Sequence, residues 1–233
     1  MPGGLLFIYS EPGSAVTAEE FNDWYDNEHV PTRLPIPGFQ TWSRWVAADG
    51  KTPGYAAIYY IDSPTVASTP PYTDLAKTRS EREKALIARA ALFDRRTYEL
   101  LEPVYGPKDG PAYDPAKPGP FVCVAEIETS PENEEDLNRW YEEEHMALIA
   151  KVPGWVRTRR CVLVSSAAMG SEAKGEKPAK FLALHEMEDM SVLETSDEFK
   201  AAAGTEWSKK VISNATVFHV RMFKVLRTWE GPK

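Results

Sequence analysis

The sequence predicts an α+β protein in which two ferredoxin-like βαββαβ units are fused in tandem and form an α+β barrel. Three observations support this prediction. The segment at residues 21–38 recurs at residues 137–154, strand-like and helix-like patterns follow in the same order in both halves, and a Pro- and Gly-rich stretch separates the halves. Each such unit covers only one face of its sheet with helices, so the second copy is the expected cover for the other face.

The internal repeat is the strongest of these observations. The two segments read FNDWYDNEHVPTRLPIPG and LNRWYEEEHMALIAKVPG, and they lie 116 residues apart without a gap. Trp24 matches Trp140 and His29 matches His145, although the chain contains only seven tryptophans and four histidines. Matching two scarce residue types at one offset is very improbable by chance, which indicates the duplication of a single unit.

In the first half, the hydrophobic pattern predicts four strands and two helices. The strands are expected at residues 5–9, 39–46, 55–61 and 96–101, and the helices at residues 17–29 and 81–92. The first helix begins with Thr17 followed by acidic residues and presents aromatic side chains at helical spacing. Pro31, Pro35 and the Pro37-Gly38 pair end it.

The second half repeats this order. Strands are expected at residues 121–127, 155–165, 180–187 and 217–226, and helices at residues 132–150 and 199–211. We therefore divide the chain into a first unit at residues 1–102, a linker at 103–119 and a second unit at 120–233.

Composition and motifs exclude several functional classes. The net charge of −8 disfavours nucleic-acid binding, and no apolar run is long enough to cross a bilayer. Cys123 and Cys161 have no CxxC spacing, and the sequence contains no GxGxxG, P-loop or GxSxG motif. We expect a cytoplasmic protein that binds no membrane, no nucleic acid and no metal.

The Trp-Tyr-x-x-Glu-His motif, followed by Pro-Gly nine residues after the histidine, resembles the first helix of the dimeric α+β barrel superfamily. More narrowly, it is similar to that of EthD-domain proteins. The second copy departs from the pattern, since Ala147 replaces Pro31. The resemblance implies a pocket between the sheet and the two helices of each unit. Relatives include polyketide cyclases, muconolactone-type isomerases, small decarboxylases, cofactor-free monooxygenases and some haem proteins, so the fold does not select one chemistry.

Histidines are the candidate catalytic residues, because imidazole transfers protons near neutral pH. The four candidates are His29, His145, His185 and His219. His29 and His145 have an alternative role as caps of their helices, and His185 and His219 as ordinary core or surface residues. Three of the four lie in the second half, which is therefore the favoured site.

Aromatic side chains are the candidate substrate-binding residues. In the second half these are Trp140 and Tyr141, expected beside His145, with His185 and His219 on the sheet. In the first half they are Trp24, Tyr25, Tyr59 and Tyr9, expected beside His29. An apolar pocket of this kind favours a flat aromatic or polyketide-like ligand.

The leading functional hypothesis is a cofactor-independent enzyme of the lyase or isomerase class. A histidine, with a tyrosine, would act as acid and base on a small aromatic or polyketide-like molecule, as in a cyclase, decarboxylase, isomerase or C–C lyase. Two alternatives stay open: a non-catalytic small-molecule-binding protein, and an oxygenase that is either cofactor-free or haem-dependent, with His145 or His219 as the haem ligand. The tandem fusion is compatible with a monomer or a homodimer.

Overall fold

A computed structural model of the protein describes residues 3–106, 117–175 and 177–230. The predicted linker at 103–119 therefore lies largely outside the described residues. The domain boundaries at 102 and 120 stay predictions.

The first half contains four strands and two helices in the expected order. They are β1 (Gly4–Glu11), α1 (Ala18–Trp24), β2 (Trp42–Ala47), β3 (Tyr55–Ile61), α2 (Glu81–Arg89) and β4 (Leu92–Tyr105). Thr17 caps α1 by accepting a hydrogen bond from the backbone N–H of Glu20, as the sequence predicts. The helix continues beyond Trp24 as one π-helical turn, Tyr25–His29.

The second half has the same strand order and a more divided set of helices. Its elements are β5 (Phe121–Thr129), α3 (Glu134–Trp140), α4 (Met146–Ile149), β6 (Trp155–Met169), β7 (Phe181–Met187), α5 (Val192–Thr195), α6 (Asp197–Gly204), α7 (Glu206–Asn214) and β8 (Ala215–Trp229). A π-helical turn, Tyr141–His145, joins α3 to α4. Among the described residues, no helix is long and apolar enough to cross a membrane.

The two helices predicted in the second half differ from the structure. The helix expected at residues 132–150 is interrupted by the π-helical turn, which the hydrophobic pattern does not reveal. The helix expected at 199–211 is two helices, because Thr205 has an extended backbone and caps α7 through the backbone N–H of Ser208. Strands β4, β6 and β8 are also longer than predicted.

The eight strands form one closed barrel in the order β1-β3-β2-β8-β5-β7-β6-β4. Each half contributes four adjacent strands, and the halves join where β2 pairs with β8 and where β4 pairs with β6. Closure leaves no free edge, and the interior is filled by apolar side chains of both halves. Among them are Phe7, Ile58, Tyr98, Val124, Leu184 and Phe223.

The helices pack on the outer face of the barrel, so each half has its own outer core. In the first half α1 and α2 cover the sheet with a cluster that contains Trp24, Tyr25 and Tyr59. In the second half the corresponding cluster contains Trp140, Tyr141 and Met187. The expected pockets between sheet and helices would lie in these two clusters.

Candidate functional site

An identical three-residue contact recurs in both outer clusters. The guanidinium of Arg44 lies 4.1 Å from the ring centre of Tyr25 and donates to the amide oxygen of Asn22 at 2.7 Å. In the second half Arg160 lies 4.0 Å from the ring centre of Tyr141 and donates to Asn138 at 2.6 Å. Each arginine is buried and lies 116 residues from its counterpart. The two tyrosines therefore have equivalent positions above the sheet.

The glutamate next to each helix histidine has a structural role. Glu28 accepts a hydrogen bond from Ser80, the residue that caps α2. Glu144 accepts one from Thr205, the residue that caps α7, at 2.7 Å. These bonds tie the two helices of each half together, and neither glutamate orients its neighbouring histidine.

In the first half, the space beside His29 is filled. The Nδ1 atom of His29 lies 3.3 Å from Glu83 Oε1, and Arg33 pairs with the same carboxylate at 2.9 Å. The hydroxyls of Tyr25 and Tyr59 lie 3.0 Å apart and share a hydrogen bond. The predicted residues Trp24, Tyr25, His29 and Tyr59 thus lie together, but as a packed and mutually bonded core.

Burial and charge set the ionisation of this cluster. Burial, and then the charge of Arg33, lower the pKa of His29 to about 3. For Glu83, burial opposes ionisation, but contacts with His29 and Arg33 outweigh it and lower the pKa to about 2. The histidine is therefore neutral, and the charged carboxylate of Glu83 is paired with Arg33.

The second half differs at four positions that face this space. Ile149 stands 116 residues after Arg33, and Thr158 stands 116 residues after Trp42. Ser208 follows the cap of α7 by three residues, as Glu83 follows the cap of α2. On the sheet, His185 in β7 takes the place of Tyr59 in β3. At the first three positions, a large or charged side chain of the first half is replaced in the second half by a shorter or an apolar one.

These changes open a cavity of about 170 Å³ between the helices and the outer face of β5, β7 and β8. Its lining is mainly apolar and aromatic, with Trp140, Tyr141, His145, Ile149, His185, Phe199, Ser208, Ile212 and Phe218 among its residues. Four of the predicted site residues, Trp140, Tyr141, His145 and His185, therefore meet at one cavity.

One polar group of this cavity lacks the partner that its first-half counterpart has: the hydroxyl of Tyr25 bonds to Tyr59, whereas that of Tyr141 has no partner among the described residues. Within the described residues, the hydroxyl of Tyr141 and the Nε2 atom of His185 make no hydrogen bond, and the buried Nδ1 of His145 has none either. The rings of His145 and His185 are 6.1 Å apart and nearly perpendicular. A largely apolar cavity edged by a few unpartnered polar atoms is the usual form of a small-molecule site, so this cavity is the candidate place for a ligand.

Both histidines are neutral at pH 7. Burial lowers the pKa of His145 well below its usual value, and protonation of His185 and the charge of Arg160 act in the same direction. Burial, followed by Arg160, lowers the pKa of His185 to about 4. Burial also raises the pKa of Tyr141 to about 12, so its hydroxyl stays protonated.

A hydrogen-bond chain behind the cavity holds His185. The hydroxyl of Thr158 lies 2.9 Å from His185 Nδ1, and the indole N–H of Trp155 donates to Thr158 Oγ1 at 3.0 Å. Thr158 is fully buried on β6, directly opposite His185 in the strand pairing. We did not predict Thr158 or Ile149 as site residues, although comparing the two halves at the 116-residue offset would have shown both as departures from the first half.

The structure corrects the expected placement of His219 and Tyr9. Both lie at one mouth of the barrel, in a hollow of about 440 Å³, and not beneath the helices. Side chains alternate along a strand, so Phe218 and Val220 face the cavity while His219 faces the other side. Tyr9 donates to Glu126 at 2.8 Å inside the barrel, where Arg96 pairs with the same carboxylate at 2.9 Å.

The cavity does not fit a haem group. Its volume is below the roughly 300–1,000 Å³ of pockets that enclose drug-sized ligands, and a macrocycle is larger still. None of its described lining residues is an arginine or lysine that could pair with a propionate. Across the part of the chain that the structure describes, no group of three or more His, Cys, Asp or Glu could hold a metal ion.

Solved structures with the same fold include oxygenase-like proteins. An anthrone oxidase-like protein has 12% identity and a TM-score of 0.63, with 99% of this chain and 93% of that chain covered. A chlorite dismutase-like protein has 13% identity and a TM-score of 0.58, covering 97% and 96%. A monooxygenase-like protein from Fusobacterium nucleatum has 10% identity and a TM-score of 0.55, covering 98% and 94%. At these identities the similarity establishes the fold alone.

No protein-family model and no curated protein matches the sequence. An EthD-family protein from Bacillus halodurans matches with 21% identity, but over 44% of this chain and with a TM-score of 0.32. Membership of the EthD group therefore stays a prediction.

Proposed function

We propose that the second half of the chain is a cofactor-independent proton-transfer enzyme for a small and largely apolar molecule. The observation that carries this proposal is the set of unpartnered polar groups, Tyr141, His145 and His185, around an apolar cavity. A pocket lined only by aliphatic side chains would favour a binding protein instead.

The neutral histidines suit the removal of a proton from a weak acid. His145 accepts the proton, and the donors of His185 and Tyr141 stabilise the oxyanion that forms. A lowered pKa makes a buried imidazole a weaker base than an exposed one. The newly formed imidazolium and oxyanion attract each other strongly in low-dielectric surroundings, which offsets that weakness. Cyclisation, isomerisation or decarboxylation could each follow this step.

Oxygenation is the second candidate, favoured by the fold shared with an anthrone oxidase-like protein and a monooxygenase-like protein. Proton removal from a CH₂ group next to an aromatic ring would leave a carbanion that dioxygen oxidises. The CH₂ carbon becomes a carbonyl, and one atom of O₂ enters it while the other leaves as water. The same histidine would act as the base in the proton-transfer enzyme and in the oxygenase.

Deuterium exchange tests the shared step without knowledge of the later chemistry. The protein is incubated in D₂O with a panel of single-ring ketones and phenols, and loss of substrate C–H signals is followed by NMR, with oxygen uptake recorded in parallel. We expect protein-dependent exchange that falls about 100-fold or more in His145→Ala. Exchange with oxygen uptake assigns the oxygenase.

The matched control is His219→Ala, since His219 is exposed at the barrel mouth and does not line the cavity. This variant should exchange at the wild-type rate. Binding of panel compounds in the cavity with no exchange above the buffer rate would overturn the enzyme proposal and assign the binding-protein alternative.

A further inference from the structure

We infer that the cavity takes a single-ring phenol, or an enol of the same size, and that Trp155 and Thr158 position His185 to donate a hydrogen bond to its oxygen. The inference rests on the proposed function only in placing the ligand in the cavity of the second half. Two points are new: the chemical class of the ligand, and the role of Trp155 and Thr158, which position His185 without touching the ligand.

The cavity volume limits the ligand to one ring. An engineered apolar cavity of about 150 Å³ binds benzene, so a cavity of about 170 Å³ has room for one ring with a small substituent. Fused three-ring polyketides exceed this volume. The stacked pair of Trp140 and His145, with ring centres 4.0 Å apart, adds a flat aromatic wall.

The hydrogen-bond chain fixes the tautomer of His185. An indole N–H can only donate, so Thr158 Oγ1 accepts from Trp155 and has its own hydrogen left to donate. Among the described residues, the acceptor within reach of that hydrogen is His185 Nδ1, at 2.9 Å. The reverse arrangement, in which Nδ1–H donates to the second lone pair of Oγ1, would leave the threonine hydrogen without an acceptor, and we infer the first arrangement. Since Nδ1 accepts, the proton of the neutral ring must sit on Nε2. That N–H has no partner among the described residues and requires an acceptor oxygen.

The surroundings of His185 suit an oxygen that gains negative charge. The hydroxyl of Tyr141 is a second donor without a partner, whereas the equivalent hydroxyl of Tyr25 is bonded to Tyr59. The guanidinium of Arg160, 4.0 Å from the ring centre of Tyr141, opposes protonation of His185 and for the same reason favours an oxyanion beside it. A phenol oxygen satisfies both donors, whereas a hydrocarbon satisfies neither.

The tautomer is tested directly by NMR of protein labelled with ¹⁵N histidine, without any ligand. In long-range ¹H–¹⁵N spectra at pH 7.5 we expect His185 in the Nε2–H form. Thr158→Val should convert His185 to a mixture of tautomers, Thr158→Ser should restore the Nε2–H form, and Trp155→Phe should weaken it. An Nδ1–H tautomer in the wild-type protein overturns the inference.

Ligand class is tested with phenol and toluene, which have similar shape and differ in the hydroxyl. We expect calorimetry to give at least tenfold tighter binding of phenol, a preference that Thr158→Val loses and Thr158→Ser keeps. Equal binding of the two probes overturns the inference, and toluene binding by every variant shows that the fold and cavity persist. Phenol preference without deuterium exchange would reject the proposed enzyme and leave this inference standing.

Discussion

At the residue scale, the two halves have the same contacts around the helix motif but differ in the side chains beside its histidine. The Asn–Arg–Tyr contact is the same in both, as are the glutamates that bond to the helix caps. The difference lies in the side chains that fill or leave open the space beside the histidine. In the first half Glu83 occupies that space, and in the second half Ser208 stands at its place and leaves a cavity.

Introducing a carboxylate at position 208 should therefore fill the cavity of the second half. We expect Ser208→Glu to place a carboxylate beside His145, as Glu83 is placed beside His29. Because Ile149 stands where the first half has Arg33, the new carboxylate has no arginine competing for it and should raise the pKa of His145. NMR titration of the histidine and phenol calorimetry measure the two effects, a raised pKa and lost binding.

The matched control for this variant is Ser213→Glu, which adds the same charge at an exposed position of the same helix, α7. It should leave both the His145 titration and phenol binding unchanged. Retention of full phenol affinity in Ser208→Glu would show that the cavity beside Ser208 is not where the ligand binds.

The buried histidines also predict how stability depends on pH. The pKa of His185 is lowered to about 4 and that of His29 to about 3, against about 6.5 in an unfolded chain. Below pH 6.5 the unfolded chain binds protons that the folded chain does not, so the free energy of unfolding should fall as the pH falls. Each buried histidine contributes up to about 1.4 kcal/mol per pH unit.

Urea unfolding at pH 8.5, 7.5, 6.5 and 5.5 measures this slope. We expect little change between pH 8.5 and 7.5 and a clear loss between 6.5 and 5.5, before most carboxylates titrate. His185→Gln should make the loss shallower. A free energy of unfolding that stays constant down to pH 5.5 would contradict the buried, neutral state of these histidines.

The sequence predicted which residues form the site better than it predicted which face of the strand their side chains occupy. His145, Tyr141 and Trp140 follow from helical spacing, because a helix face can be read from the sequence. His219 and Tyr9 were misplaced because their strands carry apolar side chains on both faces. In β8, Phe218 and Val220 face outward while Phe223 fills the barrel, so alternation alone does not show which face is which.

At the element scale, the turn after the first helix of each half depends on a glycine. Gly38 has φ of +88° and Gly154 has φ of +72°, in the left-handed region that side chains disfavour. Each glycine carbonyl accepts a hydrogen bond from the residue directly after the third strand of its half, from Asp62 N after β3 at 2.8 Å and from Glu188 N after β7 at 2.7 Å. The Pro-Gly pair seen in both copies of the repeat therefore fixes where the helix ends and the sheet resumes.

Replacing these glycines should have unequal effects. Gly154→Ala should lower the free energy of unfolding by about 1–2 kcal/mol, the cost of a left-handed conformation for a residue with a side chain. Gly38→Ala should cost more, because its Cβ would also meet Val66 at 2.8 Å, whereas the nearest atom at Gly154 lies at 3.3 Å. Equal urea midpoints for the two variants would contradict this difference.

Element order was predictable because it follows from hydrophobic period and turn residues, but the breaks inside helices were not. The π-helical turns at Tyr25–His29 and Tyr141–His145 keep the aromatic and histidine side chains of each motif on one side. Nothing in the spacing distinguishes them from ordinary helix. The break at Thr205 had a signal, Gly204 followed by a capping residue, which the four-residue apolar spacing from Phe199 to Val211 obscured.

At the scale of the whole molecule, closure makes the two halves one folding unit. The interior is lined by side chains of both halves, so neither half can bury its inner sheet face alone. One join between the halves carries a partly buried ion pair. Arg221 on β8 donates to Asp49, which follows β2, with Nε to Oδ2 at 2.8 Å. Asp49 also accepts from the backbone N–H of Met222 at 3.1 Å.

Breaking this pair should destabilise both halves together. Asp49→Ala leaves the Arg221 charge without its carboxylate partner. We expect a loss of about 2 kcal/mol, between the values for exposed and for fully buried pairs, since the pair is partly exposed and the carbonyls of Lys51 and Pro53 still accept from the guanidinium. Asp74→Ala removes an exposed pair with Lys77 and should leave the free energy of unfolding nearly unchanged. Urea unfolding followed by tryptophan fluorescence and by circular dichroism should show one coincident transition in both variants. Two separate transitions in Asp49→Ala, with only one shifted, would mean that the halves are stable independently.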